Sequence, residues 1–348
     1  MDRQTQRAEI EKLFQNSFPR PTPPKDFNTE TASDNELIKY GYLPRPPDSA
    51  PPKVKELWKH VTSLPFKIVE PQLSVVDTPF ISQKVADESH AHSPGWVGAI
   101  MPPTSSNETF FQVMAEWNVP TVGPHWEILN IGKDHQGTSK DSIQAWVGWQ
   151  SPQPDDPPDP WIPPFNSGAV IGTSSFCIVT NGQIIDQGAK AWIQWRETIS
   201  LVNGLSVYPG DVVCGVVTNL QVSLDPHGPP DTGTWVTMYN KTRGTTTGLI
   251  RLPGVALKGS TAQWLVGHEP YLSYGNLGRA DPRHGPVVFS NILAVTADKT
   301  TGQLNSTNVD LSSATVLDKE FLGTVYSVAR QIDSQSLQIT QLSDCVIL

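Results

Sequence analysis

His268 and Glu269 stand side by side at the end of an apolar run, and an imidazole next to a carboxylate is the pairing from which a general acid and base are made. The bland alternative for His268 is a loop histidine at a strand end. His90-Ala91-His92 sets two imidazoles one residue apart, so an extended strand turns both to one side, but no third metal ligand accompanies them. Cys177 and Cys214 lie in apolar, strand-like contexts and read as buried, inert thiols, since a nucleophilic thiolate needs a partnered base. With Cys345 they make three cysteines, too few and too scattered for a disulfide framework or a zinc site. Cys345-Val346-Ile347-Leu348 satisfies the C-a-a-X prenylation pattern, with leucine favouring geranylgeranyl; the alternation in Leu337-Gln338-Ile339-Thr340 reads the same region as a last strand. No polybasic segment precedes it, so membrane association is expected only if Cys345 is prenylated.

The elements that would position these groups are mostly strands. Of 348 residues 17% are charged, while prolines number 32 and tryptophans 11, a mix that suits a loop-rich β protein better than a helical bundle. A net charge of -9 with no basic stripe excludes a nucleic-acid binder, because phosphate neutralisation needs clustered Lys and Arg. The first residues, MDRQTQRAEIEKLFQNSF, have no apolar h-region, and no stretch approaches the ~18 apolar residues of a membrane span. A cytoplasmic, reduced protein without a cofactor is expected.

Residues 1–85 read as an arm of short helices and Pro-rich linker. Ile10, Leu13 and Phe14 recur at helical spacing, Asp34–Tyr40 is a helical turn, and Gly41–Pro47 must be extended because each proline drives its predecessor out of the α region. Pro52 to Val61 forms a helix with Val54, Leu57, Trp58 and Val61 on one face. Residues 86–348 change texture. Runs such as Thr109–Val119, Ser142–Trp149, Ala169–Val179, Lys190–Trp195, Asp211–Leu220, Thr234–Tyr239, Thr261–Val266 and Val287–Val295 alternate with turn residues, which predicts an all-β, two-sheet antiparallel sandwich. The proline-dense Ser151–Pro164 is a loop.

In order, several fragments of this region resemble the glutamic peptidases, or eqolisins, acid proteases of fungi and bacteria with a lectin-like sandwich. Gly95-Trp96-Val97-Gly98 resembles the opening strand, Trp117-Asn118-Val119-Pro120 the next, and Ala145-Trp146-Val147-Gly148 is very similar to the family's Ala-Trp-Val-Gly. Lys190–Trp195, Pro209-Gly210-Asp211, Ala262–Val266 and Phe289-Ser290-Asn291 resemble later segments.

The resemblance implies a concanavalin A-like jelly roll whose members hydrolyse peptides with a glutamate base and a glutamine that holds water and oxyanion. The glutamine position, after Ala169-Val170-Ile171, is Gly172 here; the glutamate position, after Ala262–Val266, is Gly267. Two further acidic cleft positions become Gln150 and Gln194. Strand parity then puts Trp96, Trp146, Gln150, Trp192, Gln194 and Gln263 on one concave face, walled by tryptophan and floored by glycine, with the floor enlarged by the lost side chains. Such a face suits an apolar small molecule, an aromatic one, or an extended peptide. Trp195, Trp235 and Trp264 are expected in the core. Two activities remain open: a binding protein or repurposed enzyme, with His268 and Glu269 as its first polar groups, or an acid endopeptidase using Glu269, which strand parity or a one-residue bulge returns to the cleft.

Overall fold

The computed structural model describes residues 21–63, 66–76, 90–93, 96–124, 138–150, 168–196, 198–222, 231–252, 256, 258–268, 282–305, 310–321 and 324–342. The helix expected near Ile10, the Ser151–Pro164 loop, Glu269 and Cys345 lie outside the described residues.

Among the described residues two helices precede the strands. α1 (Asp34–Lys39) begins at Ser33, whose hydroxyl accepts from the Glu36 backbone N–H while the Glu36 carboxylate accepts from Ser33 N–H. That reciprocal bonding satisfies two donors a helix start leaves open, and the Ser33 N–H, followed by the Ser33 hydroxyl donating to the same carboxylate, holds the Glu36 carboxyl below its usual range. α2 (Pro52–Ser63) buries Val54, Leu57, Trp58 and Val61, as their spacing predicts.

The strands are β1 (Lys67–Ile68), β2 (Gln72–Val76), β3 (His90–Ser93), β4 (Trp96–Met101), β5 (Glu108–Asn118), β6 (Thr138–Gln150), β7 (Gly168–Thr180), β8 (Gln183–Arg196) and β9 (Thr198–Asn203). They continue with β10 (Val212–Val222), β11 (Asp231–Asn240), β12 (Thr245–Thr246), β13 (Ile250–Arg251), β14 (Thr261–His268), β15 (Val287–Asp298), β16 (Thr315–Phe321), β17 (Thr324–Asp333) and β18 (Ser336–Gln341). All belong to one continuous ladder that folds over on itself. The front layer runs β2–β9–β8–β7–β6–β14–β4–β16. The back layer runs β18–β15–β5–β10–β11, with β12 and β13 beyond.

β16 carries the ladder from one layer to the other. Its first residues pair with β4 and its last with β17, and the Asp318 carboxylate accepts the Ala329 N–H at the crossing. A buried N–H that leaves its strand partner needs such a replacement acceptor.

Alternation along each strand builds the core between the layers. Ile143, Ala145, Val147 and Trp149 of β6 point inward with Ala262, Trp264 and Val266 of β14, and meet Val113, Ala115 and Trp117 of β5 and Phe289 of β15. Tryptophan N–H groups tie the layers: Trp117 donates to Thr173 Oγ1 at 2.9 Å and Trp264 to the Met114 carbonyl at 3.1 Å. Trp195 and Trp264 are thus core residues, as expected.

Trp235 is buried elsewhere, in the outer face of the back layer. There the arm lies down: Leu37, Leu43, Leu57, Trp58 and Val61 cover Met114, Val216, Trp235, Tyr239, Leu293 and Val295. Trp58 Nε1 donates to the Leu43 carbonyl, and the Arg45 guanidinium lies 5.6 Å from the Trp58 ring centre. A cavity of about 60 Å³ remains between arm and sheet.

The Pro209-Gly210-Asp211 turn closes on Asp211. Its Oδ2 accepts from Tyr208 N–H, Asn240 Nδ2 at 2.8 Å and Arg243 Nε at 2.7 Å. Gly210 has φ +89°, which glycine adopts without a Cβ penalty.

Candidate functional site

The outer face of the front layer can be read row by row, because residues directly opposite in adjacent strands share a face. One row is Leu317, Gly98, Leu265, Trp146, Gly172, Trp192 and Leu201. The next is Trp96, Gly267, Gln144, Ser174 and Lys190. On the other side lie Thr315, Ile100, Gln263, Gly148, Val170, Gln194 and Ile199. The backbone therefore brings together Trp96, Trp146, Gly172, Trp192, Gln194, Gln263 and Gly267. Gln150 ends β6, paired with Thr261 and Gly168. His268 ends β14 opposite Ile143.

Trp146, Val170, Trp192, Ile199, Leu265 and Leu317 form a small apolar cluster of their own on this face, with Trp96, Ile100 and Leu201 packed against it. Trp146 and Trp192 are only 6% and 3% exposed. Their ring centres are 6.2 Å apart at 59°, although β7 lies between their strands. Strands two apart are separated by about 9.5 Å, so the rings close in across β7, with the Trp192 ring edge over it. Gly172 is the residue beneath them. A Cβ there would stand 2.7 Å from Trp192 Cζ2, 2.8 Å from Trp146 Cβ and 2.6 Å from the Ala145 carbonyl oxygen. The expectation of an enlarged floor is corrected at this point: the space above Gly172 is filled by indole. Strand parity could place the tryptophans on the face but could not say which way their rings lean.

The polar groups are amides and hydroxyls. Gln194 is 7% exposed and donates to the Arg196 carbonyl at 2.8 Å; Gln263 is 1% exposed. No carboxylate stands in these three rows, so their described side chains offer hydrogen bonds but no ordinary proton acceptor. Gln144 was absent from the sequence reading, which began the cleft side of β6 at Trp146. Its signal was available: it lies two residues before Trp146 and so on the same face. It is 3% exposed, directly opposite Gly267, and its Nε2 has no hydrogen-bond partner among the described residues. The indole N–H of Trp192 is likewise buried and has none among them.

The other candidates lie apart. Cys177 is in the core between the layers, where burial and then Asp141 push its thiol up to about 12. Cys214 is fully buried beneath the arm and raised further, by burial first and Glu116 second. Neither supplies thiolate near neutrality. His90 and His92 sit in β3, parallel to β16. Among the described residues no group of three or more His, Cys, Asp or Glu side chains could hold a metal ion, and no helix is long and apolar enough to cross a membrane.

Residues 94–341 match the family model described as the Peptidase A4 family. Among solved structures, a crystal structure of scytalido-glutamic peptidase with a transition state analog inhibitor aligns with a TM-score of 0.47 at 17% identity. The alignment covers 71% of this chain and 98% of that one. No curated protein sequence matches.

Proposed function

Because the chain belongs to the Peptidase A4 family over residues 94–341, we propose that it is a glutamic-peptidase-like protein that binds instead of hydrolysing. Its ligand is an apolar or aromatic small molecule or a peptide held on the tryptophan-bearing face of the front layer. The observation that carries this reading is the indole pair closed over Gly172. In a hydrolase of the glutamic kind the family resemblance puts a glutamine side chain at that position; here the packing of Trp146 and Trp192 depends on having none. Gly267, at the glutamate position, shares the face and also lacks a side chain. Tryptophans and buried amides with no neighbouring carboxylate among the described residues suit stacking and hydrogen bonding better than activation of water.

The test combines hydrolysis and binding. Wild type incubated with denatured protein substrate at acid pH is expected to release no peptides, and Trp146→Ala is expected to lose binding of aromatic probes followed by intrinsic fluorescence. Hydrolysis by wild type that disappears in Glu269→Gln would instead establish an acid endopeptidase with Glu269 as its base.

A further inference from the structure

Burying a hydrogen-bond donor without a partner costs about 1–3 kcal/mol, and native proteins keep few of them. Among the described residues, three buried side-chain polar atoms without a hydrogen-bond partner lie on the outer face of the front layer: Ser142 Oγ and Gln144 Nε2 from β6, and Trp192 Nε1 from β8. Their placement follows the glycines. Gly267 lies directly opposite Gln144, and Gly172 directly opposite Trp192. Indole Cζ2 and Nε1 belong to the same edge of the ring system, so the Trp192 edge overhanging Gly172 is the edge that carries its N–H. Two donors thus flank the positions where side chains are missing, one from each neighbouring strand of β7.

The surroundings select what could satisfy them. Leu265, Val170 and Leu317 make the face apolar. The cation in the adjoining row, Lys190, is exposed and lies 5.9 Å from the Phe176 ring centre. A carboxylate brought against Gln144 and Trp192 would lose its hydration among apolar side chains and gain two neutral donors, at a cost of several kcal/mol. A carbonyl group has no charge to desolvate and has two acceptor lone pairs.

We propose that this outer face of the front layer takes an uncharged, carbonyl-bearing aromatic molecule, whose acceptor oxygen or oxygens bond to the side-chain amide of Gln144 and the indole N–H of Trp192. The proposal rests on the binding reading above and narrows it to one ligand chemistry.

Acetophenone, ethylbenzene and benzoate serve as probes: similar rings with a carbonyl, with none, and with a charged carboxylate. Titrations of full-length protein labelled with ¹⁵N-tryptophan report both affinity and the Trp192 indole resonance, assigned with Trp192→Phe. The expected result is that acetophenone binds about tenfold more tightly than ethylbenzene, the effect of one good hydrogen bond, and moves the Trp192 indole proton downfield. Gln144→Leu and Gln144→Met, both shape-conserving, are expected to reduce that advantage to a few-fold or less. Equal binding of acetophenone and ethylbenzene, or an advantage that survives in both Gln144 variants, would overturn the assignment of the donors while leaving apolar binding intact. Tighter binding of benzoate would overturn the uncharged class. Failure of every probe to bind at millimolar concentration would remove the binding reading itself.

Discussion

Trp146 and Trp192 belong to strands that are not neighbours, yet their ring centres stand 6.2 Å apart because the residue between them is Gly172. A side chain at that position and the indole contact exclude each other. Gly172→Ala should therefore destabilise the protein by about 1–3 kcal/mol, the usual cost of overpacking, in urea denaturation. Pairing it with Trp192→Ala should cost less than the sum of the single changes, since the two share one contact. Gly172→Gln should not generate peptidase activity.

Gln144→Leu removes a buried amide whose Nε2 has no partner among the described residues, while nearly keeping its shape. Its expected effect is a gain of about 1 kcal/mol in stability, read as a higher urea midpoint with an unchanged slope. A loss of stability of that size would mean that the amide is satisfied in the free protein.

Asp211 gathers one backbone N–H, an asparagine amide and an arginine on a single oxygen at the turn before β10. Asp211→Ala should cost about 3 kcal/mol, because hydrogen bonds to a charged group are the strong ones and Asn240 is left buried beside an empty place. The folded fraction by circular dichroism on heating measures it.

The two described thiols give a pH dependence. An ordinary cysteine titrates near 9, while burial raises Cys177 to about 12 and Cys214 further. Between pH 9 and about 12 the unfolded chain binds fewer protons than the folded one. Their contribution is therefore complete below pH 9 and declines as pH rises through that window. Cys177→Ala should flatten the decline of the urea midpoint between pH 9 and 11. Wild type should resist iodoacetamide at these two sites at pH 8 until unfolded.

Much of the sandwich was legible because its strands alternate cleanly. The register of β6, β7 and β14 follows from Ala-Trp-Val-Gly and Ala-Gln-Trp-Leu-Val once one face is known to be buried. Less legible were β8 and β16. The first half of β8, Gln183–Ala189, is largely exposed and carries no buried face to reveal it. β16 contains Asp318 and Lys319, which read as loop residues but are buried where the strand changes layers. At the site, the family resemblance singled out Gly172 and Gly267, and strand parity put the tryptophans on the same face. Gln144 went unnoticed because an isolated glutamine in a strand looks like any surface amide, and only its neighbours show that it is buried and unpartnered.

Trp58→Ala should cost about 3–5 kcal/mol, as for other buried aromatic truncations, and should increase binding of the dye ANS by uncovering the back layer. Trp58 is 6% exposed and anchors the arm through Leu43.

The seat of the arm also has a consequence in time. Trp58 belongs to an early segment, whereas its apolar cluster includes Trp235, Leu293 and Val295, from strands synthesised much later. On a translating ribosome the helix must wait, apolar face uncovered, until β15 has emerged, a delay of about ten seconds or more at ~5–20 residues per second. Such distant pairing slows folding and leaves an interval open to misassociation. Chaperone dependence during synthesis is therefore expected to track the arm's apolar face, independently of anything that happens on the outer face of the front layer.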